Sequence, residues 1–149
     1  MTRALAIRTC ATVLAVSVWS AFALANTARA TAGQKTTNDG IYSKAQADAA
    51  KPQFDKLCAE CHAFTVAAKK QVKDLPLGDE PFLKKWEGRG LEELATVIVT
   101  TMPNDGSAVV SDDDTLNLLA YILQQNGFAP GAAPLTRESA TAVIARPKK

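Results

Sequence analysis

With 149 residues, the chain has room for one ordinary domain and little beyond it. Charged residues at 21% and apolar residues at 47% exclude wholesale disorder, and no segment repeats at the period of a solenoid. The net charge of +2 is set by the beginning of the chain: three of the 17 Lys and Arg (Arg3, Arg8 and Arg29) lie in the first thirty residues, which hold no acid, so 14 basic residues face 15 acidic ones downstream, a net −1. No basic patch dominates the remainder, which argues against nucleic acid as a partner.

Residues 1–30 combine the basic start with an apolar stretch from Ala11 to Leu24, broken only by Thr12, Ser17 and Ser20. Small residues follow at Ala23-Leu24-Ala25 and Ala28-Arg29-Ala30. The pattern predicts a secretory signal peptide cleaved after Ala25 or Ala30. The alternative is an uncleaved anchor, for which the run is short; membrane association is expected only if the signal is retained. Cys10 should leave with the signal. Residues 31–42 are polar and Gly-containing and read as a flexible leader.

Ser43 and Gln46 have capping-box spacing, so a helix should run from there through Ala45, Ala49, Phe54 and Leu57 to Cys58. Pro52 should kink it, or restart it with Pro52 in the first turn. Residues 63–80 read as connecting chain. Asp79-Glu80-Pro81 opens a short helix carrying Phe82, Leu83 and Trp86, stopped by Gly88 and Gly90. Leu91, Leu94, Ala95 and Ile98 follow helical spacing, which outweighs the strand preference of Val97, Ile98 and Val99. After a loop at 101–106, Ser111 caps a helix with Asp112, Asp113 and Asp114 in its first turn, where negative charge suits the dipole. Leu116, Leu119, Ala120 and Leu123 form its apolar stripe, and Gly127 ends it. A weak helical stretch is expected at 137–145. The domain should therefore span 43–130, with 131–149 as a C-terminal extension, and the class should be all-α.

The chemistry concentrates in Cys58-Ala59-Glu60-Cys61-His62. Cys-x-x-Cys-His is the attachment pattern of c-type haem: two thiols reach the two vinyl groups on one porphyrin edge, and the adjacent imidazole lies under the iron. A redox Cys-x-x-Cys would need a βαβ setting. Zinc would need four ligands, and after cleavage only Cys58, Cys61 and His62 remain. A Cys58–Cys61 disulfide would close a very tight loop. His62 is the single histidine, so a second histidine ligand is excluded. Met102 is the one methionine left after processing, and its neutral thioether suits iron in both oxidation states. Pro103 restricts the Met102 backbone to an extended conformation. Packing of Met102 in a core gap is the competing reading.

These residues resemble those of class I cytochromes c, in particular the small cytochromes and cytochrome domains that serve bacterial quinoprotein alcohol dehydrogenases. The resemblance is carried by Ser43-Lys44-Ala45-Gln46, by Phe54 ahead of the Cys58–His62 motif, and by Phe82, Trp86 and Gly88. It continues through Thr100-Thr101-Met102-Pro103 and Leu119-Ala120-Tyr121-Ile122-Leu123-Gln124, ending at Asn126-Gly127. It implies a cytochrome c fold, about three to five helices around one covalent haem c with His62 and Met102 as iron ligands. It also implies that Phe54 crosses Tyr121, that the Pro76 carbonyl accepts from the His62 ring, and that Leu77 packs on the same haem face. Trp86 either donates to a haem propionate or packs in the core. The chain departs from the family pattern at Ala50, where Gly is usual, and in residues 63–75, which lack the usual Gly-rich stretch.

The function so implied is periplasmic electron transfer without a catalytic residue or small-molecule substrate. The partners would be redox proteins: a quinoprotein dehydrogenase as donor and a route towards a terminal oxidase. The alternatives are a tethered haem subunit of a dehydrogenase complex and a five-coordinate haem enzyme or gas-binding protein. Lys69, Lys70 and Lys73 read as a solvated loop or as local positive charge for docking.

Overall fold

The structure is a computed structural model, and it describes residues 33–70 and 75–148. The expected signal peptide and Lys73 lie outside the described residues. Residues Gln34–Lys149 form one compact unit. It contains four helices: α1 (Lys44–Leu57), α2 (Asp79–Trp86), α3 (Leu91–Thr101) and α4 (Asp112–Gln125). Among the described residues strand pairing is limited to isolated bridges. The class is all-α, as the sequence implies.

Each helix begins where its local chemistry places it. Ser43 Oγ accepts from the Gln46 N–H at the start of α1, and Ser111 Oγ accepts from Asp114 N–H at the start of α4. Helix α3 has Gly90 at its N-cap, and Glu93 reaches back to accept from the Gly90 N–H at 3.2 Å. Helix α4 stops at Asn126, and Gly127 takes the left-handed turn at φ +79° that favours glycine. Helix α1 does not restart at Pro52 but runs through it. The lost hydrogen bond is outweighed by the buried face of Ala47, Ala50 and Phe54 and by the i,i+4 pairs Lys44–Asp48 and Lys51–Asp55.

Helices α1 and α4 form the central pairing. Three side-chain contacts join them: Gln46 to Asn117 at 3.0 Å, Gln124 to Asp48 at 2.8 Å, and the Phe54 ring to Tyr121 at 5.1 Å. The Phe54–Tyr121 crossing is thus present, and Ala50 is buried in α1's packed face. Leu118, Leu119 and Leu123 of α4 and Leu91 of α3 fill the core behind.

Two segments differ from the sequence reading. Residues 34–42 are not a loose leader: Thr37, Ile41 and Tyr42 are buried, and the Tyr42 hydroxyl donates to the Phe128 carbonyl. Helix 137–145 is absent: a single 3-10 turn at Ser139–Thr141 gives way to extended chain. That chain lies between two others. Thr37 N–H donates to Val143 O and Val143 N–H to Lys35 O on one side. Ile144 N–H donates to Arg89 O and Leu91 N–H to Ala142 O on the other. Ala140, Ala142 and Ile144 are buried on alternate positions, a period-2 pattern that a helix would scatter. The tail therefore fixes the start of α3.

Candidate functional site

Helix α1 delivers the Cys58–His62 motif. Cys58 is its C-cap, with its N–H on Phe54 O. The Cys58 carbonyl then accepts from both Cys61 N–H (3.1 Å) and His62 N–H (2.9 Å). This tight turn places two thiols and an imidazole at the end of one rigid element. Both thiols are free, with Cys61 exposed and Cys58 half-buried against the core. Burial pushes the Cys58 thiol up to about 11, because the thiolate is poorly solvated there.

The His62 ring is oriented by backbone. Its Nδ1 lies 2.8 Å from the Leu75 carbonyl oxygen. A carbonyl only accepts, so Nδ1 carries the proton and Nε2 keeps its lone pair for a metal. The acceptor is Leu75, a correction to the expected Pro76. The frame is set one residue on, where Leu77 N–H donates to Ala63 O at 2.7 Å. Leu77 is half-buried and packs against the core.

Phe64, which the sequence reading passed over, holds this loop down. Its ring stacks on Phe54 at 4.9 Å and meets Tyr121 edge-on at 5.7 Å. Such aromatic pairs contribute about 0.5–1.5 kcal/mol beyond burial. Its carbonyl lies so near Gly78 that a Cβ there would collide with the oxygen. An aromatic residue two positions after His62, the one aromatic in residues 63–75, was the available signal. Asp79 adds a further tie, its carboxylate accepting from Val66 N–H at 3.0 Å.

Met102 is the C-cap of α3, with φ −118° and ψ 144°, the extended conformation expected before Pro103. It is half-buried and lines a hollow of about 450 Å³ with Val99, Pro103, Ala108 and Val109. Trp86 is 4% exposed, with Arg89 Cζ 4.6 Å and Lys85 Nζ 5.2 Å from its ring centroid. The structure thus groups Cys58, Cys61, His62, Leu75 and Leu77, while Met102 and Trp86 occupy surroundings of their own.

The donor set fits a covalently held haem. Among the described residues no three His, Cys, Asp or Glu converge to hold a bare metal ion. The large hydrophobic residues left exposed among them are Val66, Leu75, Val99 and Val109. Two belong to the His62 loop and two line the Met102 hollow. Exposed apolar side chains at these two places would suit contact with an apolar cofactor.

A family model described as "Cytochrome C oxidase, cbb3-type, subunit III" matches residues 45–122, just over half of the chain. The match runs from the second residue of α1 into α4 and takes in the Cys58–His62 motif and Met102. No curated protein and no solved structure matches the chain.

Proposed function

The chain belongs to the family of cytochrome c oxidase, cbb3-type, subunit III, and from that membership we propose that it is a carrier of single electrons with one haem c fixed at Cys58 and Cys61 and ligated by His62 and Met102. Membership implies a c-type cytochrome domain, hence covalent haem and electron transfer. The observation that carries the rest is the His62 ring: its Nδ1 is committed to Leu75 O, which leaves Nε2 as a ligand on the turn that also presents both thiols.

Haem supplies a one-electron ferric/ferrous couple when bound. The protein's part is to hold and tune it. Cys58 and Cys61 provide two thioether attachments. His62 supplies a basic nitrogen whose strength depends on the hydrogen bond behind it. Met102 supplies a neutral sulfur, which favours the reduced state relative to a second histidine. His62 and Met102 would both be ligands to the haem iron, an arrangement suited to electron transfer, and no residue is assigned a catalytic role. Trp86, buried in the core with two exposed cations over its ring, is assigned to packing rather than to a propionate.

The site of action is the periplasm, on the strength of the signal-like pattern in residues 1–30 and the need for export before haem attachment. No helix of the described residues is long and apolar enough to cross a membrane. The donor is a quinoprotein dehydrogenase, supported by the resemblance in residues 82–127, and the electrons go towards a terminal oxidase, supported by the description of the matching family. That same description, of an oxidase subunit, favours a second reading: a haem subunit resident in a larger complex. Size-exclusion chromatography of native extracts separates the two.

The test is a haem stain after denaturing electrophoresis of protein exported by a strain that matures c-type cytochromes. One haem per chain should survive denaturation, and loss of stain in Cys58→Ser/Cys61→Ser should follow. An unstained wild-type band would refute the attachment.

A further inference from the structure

The link from His62 does not end at Leu75. Two residues on, the Leu77 carbonyl accepts from Asn126 Nδ2 at 2.7 Å. Asn126 is the C-cap of α4, and the same Nδ2 donates its second hydrogen to Ile122 O at 2.8 Å. A C-cap residue serves its helix through its backbone, and here the Asn126 N–H already lies on Ile122 and Leu123 carbonyls. The side chain therefore adds a contact that helix termination does not require. It joins the end of α4, the most buried helix, to the 75–78 segment that supplies the acceptor for the His62 ring.

The surroundings make this anchor specific. On its other edge the segment is tied by Leu77 N–H to Ala63 O. At Gly78 it passes so close to the Phe64 carbonyl that no side chain fits. The added Cβ would also stand 3.4 Å from Asn126 Oδ1. Asn126 thus holds the segment at the carbonyl two residues after the His62 acceptor.

We infer that Asn126 is a positioning residue for the His62 ligand: by holding the Leu77 carbonyl it fixes the Leu75 carbonyl against Nδ1–H, and so sets the donor strength of the imidazole and the reduction potential. A firm Nδ1–H···O bond makes the ring more basic and favours ferric iron. Loosening the carbonyl weakens that bond and moves the potential upward. The inference rests on the His62 ligation argued under Proposed function.

The experiment compares exported holoprotein with Asn126→Leu and Asn126→Asp, both lacking the donor, and with Gln124→Leu. Gln124→Leu removes the bond from α4 to Asp48, which leads only to α1. Midpoint potential, exchange of the His62 Nδ1 proton by NMR in the reduced state, and the urea midpoint are measured on each. Both Asn126 variants should show a raised potential and faster ring-proton exchange, while Gln124→Leu loses stability with neither change. Should Asn126→Leu fail to accumulate, the near-isosteric Asn126→Asp still reads the lost donor. An unchanged potential in the haem-stained Asn126 variants, or an equal rise in Gln124→Leu, would overturn the role of Asn126 alone. A wild-type protein without haem stain would overturn the ligation and this role together.

Discussion

From His62 to Gly78 the described chain closes on itself and is also tied to other elements. Leu77 N–H bonds to Ala63, Leu77 O accepts from Asn126, Val66 N–H bonds to Asp79, and the Phe64 ring packs between Phe54 and Tyr121. From Met102 to Val109 the hydrogen bonds stay local: Met102 N–H to Ile98, Gly106 N–H to Pro103, Ser107 N–H to the Asp105 carboxylate. Val109 is 95% exposed. The histidine side is held by contacts with other elements, whereas the methionine side is held by bonds within its own turn and to the end of α3.

The sharpest break in this comparison is Met102→Ala. It should leave the covalent haem stain intact yet convert the oxidised spectrum to a high-spin or externally ligated form and lower the potential. An unchanged spectrum would mean that another side chain occupies the sixth position. Amide exchange then compares the two loops in one sample. In holoprotein the amides of His62 and Leu77 should exchange more slowly than those of 104–109 by on the order of 100-fold, since a segment opens less often when more of its packing must break first. Equal protection would erase the distinction.

Glycine substitutions probe the same contrast. Gly78→Ala must displace the Phe64 carbonyl and should cost about 1–3 kcal/mol or more in urea unfolding. Gly106, at φ +69° with nothing near its Cβ position, should lose only about 1 kcal/mol as Ala, the cost of a left-handed backbone. Reversal of that order would show that the methionine loop is the better packed.

The smallest effect concerns the tail that fixes the start of α3. Arg146 pairs with Glu80 and Glu87, and its hydrogen bond holds the Glu80 carboxyl below its ordinary value of 4.5. A lowered folded-state value means stability that is present above 4.5 and fades as pH falls through the folded value. Protection of the Val143 and Ile144 amides, relative to the unfolded-chain exchange rate, should therefore fall modestly as pH drops below 4.5, and Arg146→Ala should remove that pH dependence. These side chains are exposed, so the change is small.

What could be read from the sequence was whatever local chemistry decides. Ser43 and Ser111 start helices because their hydroxyls meet nearby N–H groups, and Gly127 ends one because it tolerates a positive φ. The motif and the single His62 drew attention to the site by composition alone. Long-range pairing was not legible. Ala140, Ala142 and Ile144 alternate like a strand, but the partners at Lys35–Thr37 and Arg89–Leu91 lie far away in sequence. The acceptor of the His62 ring was misplaced by one residue, since Ala63–Leu77 pairing sets the frame. Nothing near Asn126 in the sequence points to Leu77, 49 positions earlier.

The central claim, a carrier with both axial positions filled by His62 and Met102, is tested most directly by optical spectra recorded through a redox titration of the exported protein. A single one-electron step between two low-spin forms, with a methionine–iron charge-transfer band in the oxidised state and no spectral response to added carbon monoxide, is the predicted result. A five-coordinate high-spin spectrum that binds carbon monoxide at once would contradict it and make the chain a haem enzyme or gas-binding protein instead.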